Sequence, residues 1–201
     1  MLSSTQTLPE GYIQTHEINL AIDKRLAVLL NIAGFFIFIL SFALLGLFAS
    51  WIHPGLRSGT FSILMDLSKL GQLLGLLAAA ALMLVVHELI HGLFFWVFTR
   101  SKPVFALHLA YAYAAAPGWF IPARQYSIIG LAPLVIISAI GLLLIWLAPA
   151  GWFLTVIFIT ALNIGGAAGD MLVIARLFRT SPVCRVNDAG DRVCIYEPAR
   201  K

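Results

Sequence analysis

Apolar and polar positions in this chain fall into long blocks. A polar opening stretch ends at Lys24-Arg25, and an apolar run follows from about Leu26 to Ile52. Three more apolar runs come after it: Leu70 to Phe98, Ser127 to Leu147, and Trp152 to Ala175. A helix needs about 20 apolar residues to cross the hydrocarbon of a bilayer, so each run is long enough to span. The pattern predicts an all-α polytopic membrane protein with four transmembrane helices. Only Ala148-Pro149-Ala150-Gly151 separates the last two runs, which predicts antiparallel neighbours. The segment from about Thr99 to Tyr126 breaks the pattern. Within it Leu107, Leu109, Tyr111 and Tyr113 alternate with His108, Ala110, Ala112 and Ala114, the period of a strand. Pro117-Gly118 then marks a turn. A short cytoplasmic-side β strand or hairpin is expected there, between spans two and three. Residues 1–25 read as a polar N-terminal segment and 176–201 as a polar tail, so one membrane domain accounts for 1–201.

Composition removes the soluble alternative. The chain is 61% hydrophobic and 11% charged, against about 45–50% and about 25% in an average soluble domain. No soluble core could hold that apolar surplus. Topology accounts for the net charge of +4. With four spans, Lys24, Arg25, Arg100, Lys102, Arg124, Arg176, Arg179, Arg185, Arg192, Arg200 and Lys201 share the side of the termini. Only Arg57 and Lys69 fall opposite. Cytoplasmic loops of membrane proteins carry the excess of Lys and Arg. The expectation is a multi-pass plasma-membrane protein with both termini in the cytoplasm and lipid as its surroundings. No basic cluster interleaved with aromatics points to nucleic acid. Cys184 and Cys194 fit no zinc-finger spacing and read as reduced thiols. No cleavable signal peptide is expected, because the opening is polar and the first apolar run is too long for one.

Against this background VVHELIHGLFFW, residues 85–96, stands out. Ionisable groups inside a span cost about 2.5–3.5 kcal/mol each on insertion scales, which makes them functional-site candidates. His87 and His91 are four residues apart, one turn of a helix, so both imidazoles can reach one ion. Glu88 points to the flank of that face. This is the HExxH pattern, in which two His bind zinc and the Glu handles the proton of a water. A catalytic zinc takes three protein ligands, so one is missing. Between Asp66 and Asp188 the only carboxylates are Glu88 and Asp170. Asp170 is therefore the leading third ligand, with His108 as runner-up. Gly165-x-x-x-Gly169 is a small-residue patch of the kind that lets helices approach closely in lipid, and Ala78–Ala81 on the second span is a stretch that could help in the same way. Asn163 is a candidate to orient a ligand or bind substrate. The readings left open are a zinc metalloprotease holding one Zn²⁺, a non-enzymatic membrane metal carrier or sensor, and a scaffold whose HExxH has lost its chemistry.

The chain resembles a family of small bacterial membrane proteins, a former domain of unknown function now described as zincin peptidases. That family is similar to the site-2 proteases. LPEGYIQTHEINL resembles the family's N-terminal lead-in, HELIHG its zinc motif, Asn163 to Met171 its second motif, and IYEP its C-terminal end. The resemblance implies peptide-bond cleavage in or near the membrane, with membrane-associated proteins or peptides as substrates. It implies zinc on His87, His91 and Asp170, and Glu88 as catalytic base. Site-2 proteases carry Asn…Pro…Asp-Gly on a later span. This chain has Asn163 and Asp170 but no proline between them, and Met171 stands where the glycine would be.

Overall fold

The computed structural model describes residues 3–54, 70–107, 112–147 and 149–199. The apolar runs form α1 (Lys24–Ile52), α2 (Leu70–Thr99), α3 (Ala123–Leu147), α4 (Phe153–Gly166) and α5 (Ala168–Leu177). The side chain of Asp23 caps α1, its Oδ1 accepting from the Leu26 N–H at 2.9 Å. α1, α2 and α3 are each long and apolar enough to cross a membrane. They leave large apolar side chains bare along their length: Phe36 and Leu47 are each 66% exposed. Soluble proteins rarely expose such continuous apolar surface.

The fourth run departs from expectation. It is two helices, bent by 41°, with Ala167 at the break and its N–H bonded to the Asn163 carbonyl. Glycine is among the weakest helix formers, and Gly165, Gly166 and Gly169 crowd this point. Among the described residues three helices therefore suit a crossing, and a fourth only if the bent pair acts as one.

The chain is also not all-α. An antiparallel sheet runs in the order β1-β6-β5-β4, from β1 (Tyr12–Asn19), β4 (Ile121–Pro122), β5 (Arg185–Asp188) and β6 (Arg192–Pro198). The N-terminal segment and the tail, expected as polar ends, are paired strands, from Tyr12↔Pro198 to Asn19↔Arg192. Their apolar residues justify this: Val186 and Ile195 are fully buried. Gly190, at φ +97, makes the tight β5–β6 turn that other residues would resist. The expected hairpin is present as β2 (Val104–Leu107) and β3 (Ala112–Ala115), with Leu107 paired to Ala112. The alternating stretch is thus split over two strands. Residues 108–111, with the runner-up ligand His108, lie outside the described residues, as do Arg57, Asp66 and Lys69 of the connection after α1.

The chain divides into two compact units. One comprises Met1–Asn31, Glu88–Pro133 and Gly169–Lys201; its core joins Phe95, Tyr126, Ile129 and Ile174 to Val186 and Ile195 of the sheet. The other comprises Ile32–His87 and Leu134–Ala168, cored by Leu45, Ile145, Phe153 and Ile157. In this second unit Gly165 of the small-residue patch packs closely against α1. A Cβ on Gly165 would lie 2.6 Å from the Gly34 carbonyl oxygen, whereas a Cβ on Gly169 would meet nothing within 4 Å.

Candidate metal centre

The two histidines lie one turn apart on α2, both buried at 7% and 6% exposure. Each is held by its Nδ1. That of His87 is 2.9 Å from Asn163 Oδ1 on α4, and Asn163 is wholly buried. That of His91 is 2.9 Å from the backbone carbonyl of Ile129 on α3. Amide and carbonyl oxygens only accept, so both Nδ1 atoms must donate. In the neutral imidazole this puts the lone pair on each Nε2, the atom that can then ligate a metal.

Asp170 faces the same place. Its Oδ2 is 3.4 Å from His91 Nε2. It occupies the first turn of α5, where the helix dipole favours a negative charge. One ligand atom from each of His87, His91 and Asp170 lies within 4.8 Å of the others. Two donors about 2.0–2.1 Å from one tetrahedral ion stand about 3.4 Å apart, which is the His91–Asp170 separation. Glu88, half-buried, is close enough for its charge to act on His91. The residues His87, His91 and Asp170 are thus brought together, and the cluster could hold a metal.

Asn163, the candidate ligand-orienting or substrate-binding residue, contacts His87, and its Nδ2 lies 3.4 Å from Ser138 Oγ. Gly92, next to His91, lets the hairpin lie on α2: any Cβ there would collide with the Phe105 ring.

A further carboxylate, Asp188, lies in the stretch expected to be a polar tail. Asp188 is 6% exposed. Its Oδ2 accepts from Tyr126 Oη at 2.6 Å and its Oδ1 from the Gly190 N–H at 2.8 Å. Burial pushes its carboxyl up to about 6, opposed by those two hydrogen bonds, and it senses the charges of His91 and Asp170. The signal was legible: Arg185-Val-Asn-Asp, then Ala-Gly-Asp, then Arg192-Val-Cys-Ile-Tyr reads as two short strands about a turn.

A family model described as putative zincin peptidase matches residues 80–184, more than half of the chain. The chain belongs to the putative zincin peptidase family. No curated protein and no solved structure matches it. The zincin peptidase match contains both histidines, Glu88 and Asp170 and ends at Cys184. It leaves out β1, β5 and β6, three of the four strands of the sheet.

Proposed function

We propose that this zincin peptidase is an intramembrane zinc metalloprotease that hydrolyses peptide bonds of membrane-associated proteins or peptides. The observation that carries the reading is the convergence of His91 Nε2 and Asp170 Oδ2 at 3.4 Å, with His87 one turn away on the same helix. Two neutral imidazoles and one carboxylate suit a catalytic zinc, which keeps a fourth position open. His87, His91 and Asp170 are the ligands, and one Zn²⁺ is the cofactor. Bound zinc supplies a water of pKa about 7 and polarises the scissile carbonyl. Glu88 would act there as the general base, accepting a proton from water and passing it to the leaving amine. Asn163 and the Ile129 carbonyl hold the imidazoles in the ligating tautomer. The exposed strand β2 receives an extended substrate segment by edge pairing, since a helical substrate must unwind before its peptide bond is accessible. α1, α2, α3 and the bent α4–α5 pair cross the lipid of the plasma membrane, with both termini cytoplasmic.

The test is metal content and cleavage of a membrane peptide by the purified full chain. Glu88→Gln should keep zinc and lose cleavage, and His87→Ala should lose both. Asp170→Asn should weaken zinc retention. Stoichiometric zinc loss in Glu88→Gln would make Glu88 a ligand and overturn its role as base. Zinc bound by the wild type with no cleavage of any membrane peptide would favour a non-enzymatic metal protein.

A further inference from the structure

α3 carries a proline in its interior, Pro133, and no step of the proposed chemistry uses it. In an α-helix the N–H of residue i bonds the carbonyl of residue i−4. The N–H that would serve the Ile129 carbonyl is that of residue 133, and proline has none. Its ring also crowds the carbonyl four residues back and tilts it off the helix axis. Ile129 and Pro133 are both buried. A buried carbonyl with no donor costs free energy comparable to a lost hydrogen bond. The donor this carbonyl meets is His91 Nδ1, at 2.9 Å.

We infer that Pro133 is a positioning residue for the metal centre: its missing N–H frees the Ile129 carbonyl to fix the tautomer and orientation of His91. The inference rests on the reading of His91 as a zinc ligand. It also gives a reason for a helix breaker in a span. His87 is oriented by a side chain, Asn163, whereas His91 is oriented by a main-chain oxygen that an unbroken helix would keep for itself. Acceptors behind metal-bound histidines are worth about 10- to 100-fold in metal affinity.

The experiment uses the full-length protein in detergent micelles and titrates zinc against a chromophoric chelator, with helix content and thermal midpoint as second readouts. Pro133→Ala restores the competing N–H. It should bind zinc about 10- to 100-fold more weakly while keeping or gaining helix content, because alanine is the better helix former. Lactic acid in place of Pro133 puts an ester where the N–H would be, so it lacks both the donor and the ring. It should bind zinc like the wild type. Wild-type affinity in Pro133→Ala overturns the role of Pro133 and leaves the zinc site standing. Equal weakening by alanine and by lactic acid also overturns it, because the ring and not the missing donor would then matter. If Pro133→Ala accumulates poorly, Pro133→Val restores the same N–H and takes its place, with the same outcomes read against the lactic-acid variant. His91→Ala is the separate control. Unchanged zinc binding there overturns the ligand reading itself.

Discussion

α2 and the last third of the chain both supply groups to the candidate centre, and they do so by different means. α2 is one continuous helix of 30 residues. His87, Glu88 and His91 converge on it because of helical repeat alone. The C-terminal third is a bent helix pair followed by a sheet hairpin. It supplies Asn163 from α4 and Asp170 from α5. The break at Ala167 starts a new helix three residues before Asp170, which puts that carboxylate in a first turn, where the dipole stabilises it. Groups on α2 share a backbone that already aligns them. Groups in the last third depend on packing that could have been otherwise. Substitutions on α2 should therefore remove chemistry outright, and substitutions in the last third should act through position.

The largest effect expected in the last third is at Asn163. Asn163→Ala leaves His87 Nδ1 buried without its acceptor, and zinc affinity should fall about 10- to 100-fold, with the ligand set intact. Titration against a chelator measures it. A fall as complete as that of His87→Ala would mean that packing in this region is as decisive as the ligand itself, and would erase the contrast with α2.

Next comes a pair of glycines four residues apart. Gly165→Ala sets a Cβ 2.6 Å from the Gly34 carbonyl oxygen and 2.8 Å from the Phe38 Cβ. α1 and α4 must separate to relieve it, at about 1–3 kcal/mol. Gly169→Ala meets open space and should stabilise α5 by up to about 1 kcal/mol. Thermal midpoints in detergent should move in opposite directions. Equal destabilisation by both would show that the break needs flexible backbone, not close approach.

These contrasts also explain what could be read from sequence. Long apolar runs are local, so α1 and α2 were legible to within two residues at each end and α3 to within four, as were the paired imidazoles at one-turn spacing. Asp170 was legible because carboxylates are scarce in the spans. The break in the fourth run was not, because small residues in a membrane helix ordinarily signal packing. The sheet was hidden by distance: Tyr12 pairs with Pro198, and neither short strand declares its partner. The acceptor for His91 was hidden differently. A main-chain carbonyl has no residue identity, and only the proline four positions later betrays that it is free.

The most gradual expected effect concerns Asp188, which is buried at the end of β5. Burial raises its carboxyl from its ordinary 3.8 to about 6. Between those values the folded protein holds a proton that the unfolded chain has released. Stability then falls as pH rises through that window, by at most about 1.4 kcal/mol per pH unit for one proton. Below about 4 the contribution is fully present, and above about 6 it is lost. The thermal midpoint of chelator-treated protein from pH 4 to pH 7 should show this slope. Asp188→Asn keeps an oxygen acceptor for Tyr126 and removes the titration, so its profile should be flatter across the same window. An unchanged slope in Asp188→Asn would assign the pH dependence to another group.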